Sequence, residues 1–303
     1  MTTFTTMLCD FIELRERCIK PILLCASDFW GLLKLPKNCP LETLFQSFCK
    51  QLLGVQKQTS NTGVLLELGL VPISLYAKKN ALKNWHRISK LKIANPLVRL
   101  SYEYALDQKL SWPTLSKSML SEIGMMDIFL SKKETKNCHI NIFQRLRDIF
   151  HQNAFGEINQ PNSKLRTYKY LKTEIGTERY LNLIPCPEKR VAMSKFRLSN
   201  HNLMIEKGRH TKIRKDLRFC PICPNEVEDE THFIMYCEGY KDERKNLFLK
   251  VNQLCRDFKH LDDADKFIFL LTNENALRIS AQFISQNLVR RESLLVELSK
   301  TSA

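Results

Sequence analysis

Two residues, Pro221 and Ile222, separate Cys220 from Cys223; eight more precede His232, and a further four precede Cys237. A Cys-x-x-Cys turn can present both sulfurs to one ion. A nearby imidazole and a third thiolate then complete the tetrahedral donor set that zinc prefers. Such a Cys3His set leaves no position open for water, so the expected role of one Zn2+ is structural rather than hydrolytic. In zinc-finger peptides sites of this kind supply about 10–16 kcal/mol of coupled folding energy. His232 and Cys237 lie five residues apart, a step of about 500° on an α-helix, so a turn or a helix end must bracket them. Thr231 is the expected cap of that helix, with Asp229 and Glu230 at its positive end.

A second chemistry lies just upstream. Lys207, Arg209, Lys212, Arg214, Lys215 and Arg218 crowd twelve residues, with His210 among them. Cations at this density suit a phosphate backbone, because released counterions give affinity with little demand on base sequence. The loop Pro224–Thr231 is acidic and will not hold phosphate itself. Across the chain Lys and Arg number 47 against 32 Asp and Glu, a net +15, which again points to RNA or DNA as partner, with an acidic membrane surface the weaker choice. No catalytic residue is assigned. There is no glycine-rich phosphate loop and no nucleophile elbow. The sole Asp-Asp pair, Asp262-Asp263, reads as a solvated helix start.

The elements that must position these groups read as helices. Glycine is scarce, nine residues in 303, and the Asn-Gly and Asp-Gly hairpin signals are absent, which argues against a β-sandwich or barrel. Ile140, Phe143, Leu146, Ile149 and Phe150 step by threes and fours, as do Leu247, Phe248, Val251, Leu254 and Phe258. Phe267, Ile268, Leu270 and Leu271, followed by Leu277, Phe283, Ile284 and Leu288, predict a terminal pair of helices. Breakers divide the chain at Pro36 to Pro40, at Pro72 before the helix that holds Trp85, and at Pro113. Asn159-Gln160-Pro161-Asn162-Ser163 is the best linker. The expected division is a helical region over 1–158, then 164–303 with a zinc module over about 205–245 and the terminal helices. Eleven cysteines at wide spacings are not a secreted disulfide scaffold, and Cys25, Cys49 and Cys255 sit among apolar neighbours as small hydrophobes. No signal peptide and no membrane span are read, so nucleus or cytoplasm is expected rather than secretion.

Several strings add up to a resemblance. They are Ala192-Met193-Ser194-Lys195-Phe196-Arg197-Leu198-Ser199-Asn200-His201, then Ile205-Glu206-Lys207-Gly208-Arg209, then the Cys pair and Glu228-Asp229-Glu230-Thr231-His232-Phe233. Cys237, Tyr240 and Arg244 close the order. Together they resemble the C-terminal, zinc-binding region of non-LTR (LINE-type) retrotransposon reverse transcriptases. Pro21-Ile22-Leu23-Leu24 through Trp30-Gly31 resembles that family's segment after the polymerase, with Cys25, Ala26 and Asp28 as departures. Phe48-Cys49-Lys50, Leu53-Gly54-Val55, Glu67-Leu68-Gly69, Pro72, Trp85, Tyr168-Lys169 and Leu171-Lys172 fit the same template.

The resemblance implies a mainly α fold, with a helical region after the polymerase thumb and a small Cys3His module. It also implies a role in holding RNA or DNA beside a polymerase part. The family's palm motif, Tyr or Phe followed by x-Asp-Asp, is missing, since neither His260 nor Leu261 before Asp262-Asp263 is Tyr or Phe. The chain therefore looks like the tail of such an enzyme without its polymerase or endonuclease centres. A helical protein-interaction scaffold and a truncated product without function remain the alternatives.

Overall fold

The computed structural model describes residues 13–36, 39–90, 96–130, 138–161, 163–224 and 226–301. It is mainly α, 73% helical, and the described residues contain no strand, only the isolated antiparallel bridges Leu68 to Thr177 and Phe219 to Val227. None of the described helices is long and apolar enough to cross a membrane.

The chain forms two compact units. One holds Asp10–Gln46 and Val71–Gly156; the other holds Ser47–Leu70 and Glu157–Ala303. The later boundary falls close to the linker read from the sequence, of which Asn162 lies outside the described residues. The earlier boundary is a difference from a single cut at 158: Ser47–Leu70 belongs with the second unit. The reason is long-range polar pairing. Glu67 is fully buried and accepts from Arg197 Nε at 2.7 Å and from Tyr168 Oη at 2.6 Å. Its backbone carbonyl accepts from Glu178 N at 2.9 Å. A buried carboxylate needs such partners, and all three lie more than a hundred residues along the chain.

In the first unit Pro72 stands at the N-cap of helix Ile73–Ser89, where its missing N–H costs nothing. Ala77, Ala81, Leu82 and Trp85 follow on one face and are buried. Trp85 stacks on Phe129 at 5.4 Å and donates from Nε1 to Tyr102 Oη at 3.0 Å, so its polar edge is satisfied inside the core. Helix Cys138–Ile158 brings Ile142 and Leu146 to the same cluster. Leu146 meets the predicted stripe, but Ile140 is 53% exposed and Ile142 takes the core position instead. Ile142 and Leu146 are four residues apart and share a face, whereas Ile140 is two residues, about 200°, away from Ile142.

The second unit is organised around helix Glu274–Thr301, which packs on helices Pro187–Arg197, Lys241–Leu254 and Asp263–Thr272. Phe267, Leu270, Leu271, Leu277, Phe283 and Ile284 are buried, as the predicted terminal helix pair requires. Leu247, Val251 and Phe258 are buried, while Leu254, at the end of its helix, is exposed. Asp262 caps helix Asp263–Thr272, accepting from Asp265 N at 2.7 Å, so the Asp-Asp pair is a helix start. Of the three cysteines read as hydrophobes, Cys49 is buried and Cys255 half-buried, but Cys25 is exposed.

Candidate metal centre

The Cys220–Cys223 turn is built by the backbone. Cys220 N donates to Glu226 O at 2.7 Å and Glu226 N donates to Cys223 O at 3.2 Å, just inside the Phe219–Val227 bridge. These bonds close a tight loop, and the Cys220 and Cys223 sulfurs lie within 4.8 Å of each other. The other two ligands stand at the ends of a single wide turn. His232–Tyr236 is a π-helical turn, and Cys237 N donates to His232 O at 2.8 Å. The i→i+5 bond brings residues five apart together, which an α-turn cannot do.

The turn is capped by Asp229 rather than by the expected Thr231. Asp229 Oδ1 accepts from His232 N at 2.8 Å, and Thr231 makes no capping bond. Asp229 precedes the first helical residue, Glu230, and its carboxylate reaches the third free N–H. Glu230 is not a solvated end charge. It is fully buried, accepting from Arg166 at 2.6 Å and Ser199 Oγ at 3.1 Å and lying 2.9 Å from His201 Nε2.

The four ligand atoms of Cys220, Cys223, His232 and Cys237 all lie within 4.8 Å of one another. Cys237 Sγ is 3.9 Å from Cys220 Sγ and 3.7 Å from Cys223 Sγ. Two sulfurs bound tetrahedrally to zinc at about 2.3 Å stand about 3.8 Å apart. His232 Nδ1 meets Glu226 Oε2 at 2.7 Å, while its buried Nε2 has no hydrogen-bond partner. A carboxylate on Nδ1 holds the proton there and leaves the Nε2 lone pair for a metal. The backbone N–H of Glu238 donates to Cys223 Sγ at 3.3 Å. Hydrogen bonding from Cys237 holds the Cys220 thiol down at about 4, and the same contact pushes Cys237 up. Sulfurs this close cannot all ionise unaided; a divalent cation removes that conflict, so the residues fit the ion.

Around these ligands stands a shell that sequence reading did not find. Glu228 is buried beside Cys220, its Oε1 4.0 Å from Sγ, and its carboxylate takes both forks of Arg291 at 2.6 and 2.7 Å. Phe233, next to His232, sits among Phe196, Tyr240 and Phe283 with ring centroids 5.0–6.1 Å away. Phe196, Glu228, Phe233 and Tyr240 stand in the resembling strings, but apart from the acidity of the loop nothing local places them beside the metal ligands.

The six basic residues separate into two kinds. Lys207, Arg209, Lys212, Arg214 and Lys215 are exposed. Among the described residues Arg214 pairs with Asp216 at 2.7 Å and Arg209 approaches Glu206 at 3.8 Å, whereas Lys207, Lys212 and Lys215 form no ion pair. Arg218 is different. Its Nε donates to Ile213 O at 3.0 Å and its Nη1 to Ile205 O at 2.7 Å, so it ties the segment together. Gly208 permits this, since a Cβ there would meet Arg218 Cγ at 2.7 Å. Phe219 and Tyr236 are exposed beside the module, 42% and 44%.

Among known proteins the chain matches no family model, no curated protein and no solved structure.

Proposed function

We propose that this chain is a zinc-stabilised, nucleic-acid-binding module of the kind found at the C-terminal end of non-LTR retrotransposon reverse transcriptases. It holds RNA or DNA for a polymerase part and catalyses nothing itself. The zinc is structural, and Lys207, Arg209, Lys212, Arg214 and Lys215 contact phosphate. One observation carries this reading. The segment that bears the cations is bonded to the metal loop: Ile205 N donates to Glu228 O at 3.0 Å, Glu228 N to Arg218 O at 3.0 Å, and Met204 N to Glu228 Oε2 at 2.6 Å. A structural ion there fixes the direction in which the cations face.

The test has two arms. Protein prepared anaerobically should contain about one zinc per chain, and Cys223→Ser should lower that content. Binding to unrelated RNA and DNA sequences should weaken with salt, by a slope of about −0.7 per phosphate on single strands and −0.9 on duplex. Changing Arg209, Lys212, Arg214 and Lys215 to Ala should flatten the slope by up to about 3 units without loss of zinc. Equal slopes for the wild type and this variant would remove the proposed contact.

The scaffold reading has one observation in its favour. Helix Pro96–Asp107 has no buried residue and exposes Leu97, Leu100 and Tyr104 at 60% or more. An apolar helix face of this kind suits a protein partner.

A further inference from the structure

The first unit carries a basic face of its own. Helix Ile73–Ser89 is 17 residues long and contains Lys78, Lys79, Lys83 and Arg87 but no Asp or Glu. Tyr76, Lys79, Lys83 and Arg87 follow at steps of three and four, so they share one stripe. That stripe meets helix Cys138–Ile158 through aromatic contacts. The rings of Tyr76 and Phe143 lie 5.1 Å apart; Lys79 Nζ stands 4.8 Å from the centre of Phe143, and Lys20 Nζ stands 3.9 Å from that of Tyr76. Arg147, one turn after Phe143, lies on the same side and acts on Tyr76.

The local charge is one-sided. Glu16 acts on Tyr76 at this face, and it is already shared by Arg15 at 2.5 Å and Lys20 at 3.0 Å. Among the described residues no carboxylate pairs with Lys79, Lys83 or Arg147. Lys79 is lowered by burial and further by Lys20 and Lys83, as clustered like charges require. The rings are half-buried, and each has a cation over it. What the surface presents to a ligand is a row of cations, of which Lys83 and Arg87 are exposed. From Lys79 to Arg87 the row spans about 12 Å of helix, a length over which one strand of B-DNA carries three to four phosphates.

We propose that Lys79, Lys83 and Arg147 form a second phosphate-backbone contact, on the first unit, that grips nucleic acid of any sequence. The inference rests on the nucleic-acid reading above and adds a surface to it. It follows from the lack of a carboxylate partner for any of the three among the described residues, and from Lys79 being braced against the Phe143 ring rather than held by a carboxylate. A strand of phosphates supplies the missing anions. Because such contacts position rather than specify, the grip is indifferent to base sequence.

The experiment uses the full chain with a single-stranded RNA and a DNA duplex of unrelated sequence. Log K is measured against log salt for four proteins: the wild type, the Arg209, Lys212, Arg214 and Lys215 quadruple alanine variant, a Lys79→Gln, Lys83→Gln, Arg147→Gln triple, and Lys79→Arg with Lys83→Arg. The triple should flatten the slope by about 2–3 units, the arginine pair should leave it unchanged, and the triple should add to the quadruple. Should the triple fail to fold, the exposed Lys83→Gln alone should still remove about 0.7–0.9. An unchanged slope in the triple or in Lys83→Gln, with a flattened one in the quadruple, overturns this inference and leaves the proposed function standing. A wild type without salt-dependent binding overturns both. Vesicles of phosphatidylserine in phosphatidylcholine serve as a further arm. If the triple loses vesicle binding but keeps its nucleic-acid slope, the face is a membrane contact and the inference falls.

Discussion

His232 has two ring nitrogens, and the fold gives them different surroundings. Nδ1 is held by Glu226 at 2.7 Å, and Nε2 is buried among the sulfurs with no partner. Glu226 is 58% exposed, so its worth is in orientation and not in a buried charge. Partners of this kind typically change metal affinity by 10–100-fold when removed. Glu226→Ala should therefore weaken zinc binding by about 10-fold or more, read by competition with a chelator, while Glu226→Gln should recover part of the loss. An affinity unchanged in Glu226→Ala would show that the ring is oriented by packing alone, through the neighbouring Phe233. Cobalt in place of zinc gives a second readout, since its visible bands report the three thiolates directly.

At the level of elements, one buried pair connects the metal loop to the last helix. Glu228 and Arg291 are 1% and 2% exposed, and both carboxylate oxygens are engaged. A buried ion pair is weak support for stability as a pair, but removing one partner strands the other charge at a cost of about 3–5 kcal/mol. Arg291→Ala should lower the unfolding free energy by about that amount, measured by urea titration. Glu228→Gln together with Arg291→Met should melt above the single variant, because no lone charge remains. If Arg291→Ala proved neutral, the last helix would be held by its apolar contacts alone. Phe283 and Ile284 lie on that helix and are both buried.

Across the whole second unit the chain is knitted by a buried polar network. Arg197 is fully buried and donates to Glu67, to Glu178 and to Leu271 O, with Tyr168 and Tyr180 beside it. Burial first, and then the charge of Glu67, raises both tyrosines well above the ordinary value of 10.0. A raised pKa in the folded state contributes stability in full below the unfolded value and loses it as pH climbs past that value. From neutral pH to about pH 9 their contribution should be level, and stability should fall above about pH 10. Tyrosinate absorbance should show these two of the eight tyrosines ionising only as helical circular dichroism is lost. Their ionisation in fully helical protein would show that the network is open to solvent.

Spacing and periodicity by themselves determined the helical class, the terminal helix pair, the cap at Asp262 and the four metal-ligand candidates. Each depends on residues a few positions apart, where backbone geometry sets what can face what. Even there the π-turn was only implied, as a break between His232 and Cys237, and its cap fell to Asp229 because the helix begins two residues earlier than Thr231 suggested. The fates of the charges were decided by tertiary structure. Nothing in the local sequence separates Arg218, which binds two carbonyls, from Arg214, which is exposed, or Glu228, buried against Arg291, from its neighbours in an acidic loop. Ser47–Leu70 joined the second unit because Glu67 found Arg197 across 130 positions. A charge is buried only when its partner arrives, and partners that distant leave no period in the sequence.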